Sequence, residues 1–332
     1  MPAYAVDVGY GFTKAISDRG NKICLPSVVA PARADLLDGL FATAGAHNYR
    51  VWLKQNDQEA EYLVGEAAMR SLAAASTLAR EKPPEIHDLL TLTAIYLTSS
   101  DDEDILPRTS ALAIGLPLSF YAKQKDLLRV RMQSLSAALQ INSGPEKQIK
   151  ISRAVVFPQG AGLVFSEAPA LPRNGLVGIV DVGTYTTDYL LIEIKSGQPL
   201  PVLDACGSVE AGVYLVHRAI AAAFQNATGA PLPPEMVHMV MAKIENGETI
   251  KYNNSELDLR EVYSKALKDT ALIITQKVLA AWGNQAGFVE QTLLAGGGAL
   301  LFKDELLCSF PYSRLVDDPI YANVRGYLAA IG

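Results

Sequence analysis

The segment Val6-Asp7-Val8-Gly9-Tyr10-Gly11-Phe12-Thr13-Lys14 returns in the second half of the chain as Val180-Asp181-Val182-Gly183-Thr184-Tyr185-Thr186-Thr187-Asp188, with Val, Asp, Val, Gly and the eighth-place Thr the same in both. Each copy reads as an apolar strand ending in Asp, a turn of glycine and hydroxyl residues, and a second strand, which is a β-hairpin. Two such hairpins, one per half, imply two related domains facing each other. The 332 residues suffice for two domains of about 150 each.

The chemistry suited to these turns is phosphate binding. Glycine lets a backbone approach an anion closely, and successive turn N–H groups form a concavity for phosphate oxygens. Gly9, Tyr10, Gly11, Thr13 and Lys14 in the first turn, and Gly183, Thr184, Tyr185 and Thr186 in the second, are candidate nucleotide contacts. Asp7 and Asp181 are placed to hold Mg²⁺ through water, because this ion prefers oxygen ligands and keeps several waters. Gln159, after a strand and Pro158, is a candidate for orienting an attacking water. Gly296, Gly297 and Gly298 after the strand Gln291–Leu294 offer bare backbone to a base or ribose, and the Gly207 turn would wall the base on its other side.

Between these motifs, strands and helices alternate, which predicts an α/β protein. Pro83 and Pro84 introduce a helix with Ile86, Leu89, Leu90, Ala94 and Leu97 at helical spacing, ending in the acidic turn 99–102. Residues 110–118 form an apolar run expected of a central strand, followed by an amphipathic helix through Leu127, Val130 and Leu135. Val209, Val213, Val216, Ile220 and Phe224 share one face of another helix. The expected domains are 1–168, with a small subdomain at 29–80 and the closing helix 319–332 packed back onto it, and 169–318, with a small subdomain at 227–260.

The ordered motifs resemble those of the actin and sugar-kinase ATPase superfamily. Residues 7–14 and 181–188 are similar to its two phosphate motifs, Val156-Phe157-Pro158-Gln159-Gly160-Ala161-Gly162 to its first connecting segment, Leu294–Gly298 to its adenosine motif, and Tyr321-Ala322-Asn323-Val324-Arg325-Gly326-Tyr327 to its second connecting helix. Together they span essentially the whole chain. Gly115-Leu116-Pro117-Leu118-Ser119-Phe120-Tyr121 and Tyr62-Leu63-Val64-Gly65-Glu66-Ala67-Ala68 are similar to the plasmid-segregation actins of the ParM/StbA type.

The resemblance implies two RNase H-like domains with a nucleotide cleft between them, ATP and Mg²⁺ as cofactors, and assembly into homopolymeric filaments that move DNA through a DNA-bound adaptor protein. ParM carries glutamate where Gln159 stands, whereas eukaryotic actin carries glutamine. An amide positions water but cannot take its proton, so slow, polymerisation-coupled hydrolysis is expected. Two alternatives stay open: a small-molecule kinase of the same superfamily, and a non-polymerising scaffold that uses nucleotide to set domain closure.

Other classes fit less well. A Rossmann turn would need a third glycine where Lys14 or Phe165 stands, and no Gly-x₄-Gly-Lys-Ser/Thr loop occurs. The 29 basic and 35 acidic side chains give a net charge of −6, so direct nucleic-acid binding is not expected. Cys24, Cys206 and Cys308 are widely spaced and odd in number, which fits a reducing compartment. With no apolar run long enough to span a bilayer and no leader-like amino terminus, a cytoplasmic protein with no membrane partner is expected.

Overall fold

The computed structural model describes residues 1–32, 47–71, 73–76, 83–99 and 109–332. The chain divides into two compact units, Met1–Ala170 with Ile320–Gly332, and Leu171–Pro319. Each contains one of the hairpins, and each hairpin has the same neighbours. In the first unit, Ala3–Val8 pairs antiparallel with Phe12–Ser17 and parallel with Thr109–Leu116. In the second, Gly175–Val182 pairs antiparallel with Thr187–Lys195 and parallel with Val289–Ala295.

Among the described residues, the first sheet has ten strands. Its centre is Thr109–Leu116, buried along nearly its whole length between Ala3–Val8 and Lys147–Pro158, both parallel to it. Such a strand has no solvent face, which is why its sequence is an apolar run rather than an alternation. Within the expected small subdomain, Val28–Pro31, Asn48–Gln55 and Gln58–Gly65 do not form a separate sheet. They extend the main one, because Asn48–Gln55 pairs with Ser136–Ile141, and Val29, Val51 and Val64 share the main core. Residues 33–46, 72 and 77–80 of that stretch lie outside the described residues, as do residues 100–102 of the expected acidic turn.

The helix Pro84–Thr98 starts at the expected prolines, with Pro83 as its N-cap. Leu118–Gln133 is helical, but its inner face differs from the expected one. Leu128 and Met132 are buried, whereas Leu127 and Val130 are 73% and 57% exposed. Both sets have helical spacing, and only the sheet beneath decides which is covered. The carboxy-terminal helix Ala322–Ile331 belongs to the first unit, where Val324 and Tyr327 pack on Ala5 and Ala113 of the sheet. Gly326 lies so close to the Gly162 carbonyl that a Cβ there would overlap it.

In the second unit the sheet carries Gln198–Pro201, Thr187–Lys195, Gly175–Val182, Val289–Ala295 and Ser313–Leu315 in that order. The helices Val213–Thr228 and Arg260–Trp282 cover it, burying Val216, Ile220, Phe224, Ile274, Val278 and Trp282. Val209 is not on the first of these helices but in the short strand Gly207–Val209. Residues 227–260 include the helix Val237–Glu245 and a two-stranded sheet of Ile250–Tyr252 and Ser255–Leu257, and Tyr252 meets Phe224 edge-on at 5.0 Å. Gly178 leaves room for the Trp282 ring, which a Cβ would penetrate.

Two substitutions test this packing by thermal or urea unfolding. Gly326→Ala should destabilise the chain by about 1–3 kcal/mol, the usual cost of forcing atoms into a closed contact. Trp282→Ala should cost about 3–5 kcal/mol by emptying the second core. Unchanged midpoints would contradict these contacts.

Candidate functional site

In the first unit the site is built around Asp7, which is only 3% exposed. A buried carboxylate needs partners, and three segments provide for it. Lys14 stands directly across the hairpin, with Nζ 3.7 Å from Asp7 Oδ2. Gln159, itself buried, donates from Nε2 to Asp7 Oδ1 at 2.5 Å. Gly115 in the adjoining strand leaves the space, since a Cβ there would stand 2.9 Å from Asp7 Oδ1. The parallel register brings the ends of these strands to one edge of the sheet, with Val6 beside Ile114 and Pro158 beside Leu116. Cys24 lies across from Lys14 on the next strand, and burial pushes its thiol up, against the pull of Lys14 and with a smaller push from Asp7.

The turn itself is closed by Gly9 N–H donating to the Phe12 carbonyl at 3.1 Å. A Cβ on Gly9 would sit 2.7 Å from that oxygen, so this glycine serves the turn geometry. Tyr10 and Gly11 form its half-buried tip. Thr13 is fully buried and its hydroxyl lies 2.9 Å from that of Ser27, whose N–H donates to the Gly11 carbonyl at 2.9 Å. The Thr13 hydroxyl, expected as a ligand contact, is engaged inside the fold.

The second hairpin repeats this construction. Gly183 N–H donates to the Thr186 carbonyl at 2.9 Å, and the buried Thr187 hydroxyl donates to the Ala211 carbonyl at 2.8 Å. The charges differ: Asp181 faces Asp188, where Asp7 faces Lys14. The start of the helix Val213–Thr228 supports the turn from behind, with Tyr214 N–H donating to the Thr184 carbonyl at 2.8 Å and the Tyr214 and Tyr185 rings stacked at 4.5 Å.

The glycine triplet seats against this hairpin. Gly296, at φ +85°, lies where a side chain would strike the Val182 carbonyl and the Asp181 carboxylate, and Gly298 packs on Val182. Nothing lies within 4 Å of the Cβ direction of Gly297. Gly207 pairs with Tyr189, and a Cβ on it would stand 2.5 Å from the Tyr189 hydroxyl.

The structure therefore brings Asp7, Lys14, Gln159 and the turn 9–11 together in one unit, and Asp181, the turn 183–186 and residues 296–298 together in the other, with Gly207 on the strand beyond Thr187–Lys195. Residues that sequence reasoning did not single out as site residues are Ser27, Gly115, Tyr214 and Asn323. Gly115 interrupts an apolar run and Asn323 is a polar residue in an apolar helix, and these were the available signals. Among the described residues, no three His, Cys, Asp or Glu side chains are grouped to cage a metal.

Two family models match the chain. Residues 5–162 match the amino-terminal domain of actin-like proteins, and residues 179–307 match the carboxy-terminal part of the archaeal actin homologue resembling MreB. An archaeal actin homologue of Thermoplasma acidophilum is 22% identical, with 98% of each chain covered. A ParM from Clostridium botulinum, solved as a 15-stranded filament, superposes with a TM-score of 0.87 at 27% identity, covering 98% of this chain and 97% of that one. An archaeal actin homologue in complex with ADP superposes with a TM-score of 0.79 at 20% identity, covering 100% of this chain and 99% of that one. Matching family models at both ends and a shared fold along the whole length lead to one assignment: the chain belongs to the actin-like superfamily.

Proposed function

We propose that the chain binds ATP with Mg²⁺, hydrolyses the γ-phosphate slowly, and assembles into filaments of its own kind. The observation that carries this reading is the duplicated turn. Two hairpins share the same closing bond, the same buried threonine and an Asp at the same place. A loop repeated with that fidelity in two units serves one ligand chemistry, and backbone-rich glycine turns beside carboxylates suit a metal-bound polyphosphate.

The donor set fits the ion. Mg²⁺ in phosphate sites takes one or two carboxylates and leaves its other positions to water and phosphate, so the pair Asp181 and Asp188 suffices without a protein cage. Asp7 in the first unit and Asp181, with Asp188 opposite it, in the second are each carboxylates that would hold it. When bound, the ion draws charge from the β- and γ-phosphate oxygens. Lys14 supplies a fixed positive charge beside the first turn, the Gly296–Gly298 backbone receives the nucleoside side, and Gln159 orients water by hydrogen bonding. Its amide holds a water in place without accepting the proton, which is the basis for a slow rate.

Filament formation is supported by the likeness to a ParM solved as a filament. Movement of DNA through a DNA-bound adaptor in the cytoplasm completes the reading. The net charge of −6 favours such an indirect contact over direct binding to a polyanion. No described helix is long and apolar enough to cross a membrane.

Sedimentation with phosphate release, measured with ATP and Mg²⁺, tests the proposal: a pelleting fraction and steady phosphate production are expected, and a monomer that releases none contradicts it. Asp181→Ala should lower metal-dependent phosphate release roughly 100-fold, the scale of deleting one electrostatic stabiliser. Lys14→Ala should weaken ATP binding roughly tenfold, as expected for one lost charge-assisted bond, and lower the melting temperature because Asp7 stays buried. Full ATP affinity in that variant would remove Lys14 from the site.

A further inference from the structure

We infer that Asn323, on the carboxy-terminal helix, is a positioning residue that fixes Gln159 against Asp7. This role rests on the functional reading above. Asn323 is 7% exposed, and its Oδ1 accepts the Gly160 N–H at 3.1 Å. Gly160 directly follows Gln159 and turns the chain at φ +85°. On the other side, Gln159 N–H donates to the Leu116 carbonyl at 2.9 Å. The backbone of Gln159 is thus held from the sheet at its own amide and from the terminal helix at the next one. Its side-chain amide donates to Asp7 Oδ1.

The surroundings make the Asn323 bond directional rather than incidental. Asparagine is a poor helix former, and a buried carboxamide is costly without partners. Gly162 lies against the Asn323 backbone, and Gly326, one turn further along the helix, lies against the Gly162 carbonyl, so both segments approach with only hydrogen between them. Tyr327 stacks on Phe157 at 5.2 Å and its hydroxyl donates to the Pro158 carbonyl at 3.4 Å. Those contacts set distance. Ala161 N–H closes the turn by donating to the Pro158 carbonyl at 3.1 Å, and the Asn323 carboxamide ties the central peptide of that turn, which joins Gln159 to Gly160, to the terminal helix. Because misplacing a reacting group by about 1 Å can cost about 100-fold in rate, this bond bears on turnover.

The test measures kcat and KM for ATP in the full chain for Asn323→Leu, which keeps volume but removes the acceptor, for Asn323→Asp, which keeps an acceptor oxygen, and for each combined with Gln159→Ala. Asn323→Leu should lower kcat roughly tenfold with KM within about threefold, on the scale set by misplacement. Asn323→Asp should retain most of the rate. In the Gln159→Ala background, Asn323→Leu should have no further effect, because the group it positions is gone; a purely structural role would multiply the two losses instead. Amide exchange in the wild-type chain gives a second readout that needs no variant to fold: Gly160 N–H should exchange slowly, and fast exchange overturns the proposal. Wild-type turnover with undiminished Asn323→Leu turnover overturns the positioning role alone. Absence of wild-type turnover overturns the functional reading, and the positioning role with it.

Discussion

The buried carboxylate of Asp7 is the constraint on which the first unit depends. An ionised group taken out of water costs several kcal/mol unless charge and hydrogen bonds replace its hydration. Here the replacement comes from segments far apart in the chain: Lys14 across the hairpin, Gln159 from the turn after the strand Lys147–Pro158, and the gap left by Gly115. These meet only if the strands run Phe12–Ser17, Ala3–Val8, Thr109–Leu116, Lys147–Pro158, with the last three parallel. Parallel order gathers strand ends at one edge, the usual place for ligands in open α/β sheets. The carboxy-terminal helix then braces the loop beyond that edge, so the end of the sequence and its beginning serve the same few atoms.

The duplication is faithful in backbone and unequal in charge. Thr13 and Thr187 are both buried, and both anchor their hairpins with the hydroxyl. The first hairpin contains its own counter-charge in Lys14, whereas the second sets Asp181 opposite Asp188. Like charges directly opposite across a strand pair repel, in contrast to the ion pair of the first hairpin. The two turns thus share a backbone and differ in charge.

What could be read from the sequence was what local chemistry dictates. The glycine turns, the Asp positions, the proline-started helix at Pro84 and the central strand at Thr109–Leu116 each follow from a short run of residues. The partners supplied by distant segments were harder to see. Nothing near Thr13 shows that its hydroxyl meets Ser27, and nothing in Leu118–Gln133 shows that Leu128 and Met132, not Leu127 and Val130, face the sheet. Residues 29–80 read as a small subdomain because their pattern is mixed. Their pairing with Ser136–Ile141 depends on an edge formed much later in the chain. Asn323 was visible as a motif member, but its bond to Gly160 is a property of packing alone.

The central claim is that this chain receives a metal-bound nucleoside triphosphate. Titration calorimetry of the full chain with ATP, in the presence and absence of Mg²⁺, tests it most directly. The account predicts saturable binding with Mg²⁺ and a marked loss of affinity when the ion is chelated. Binding heat that is absent, or identical with and without the ion, would contradict it.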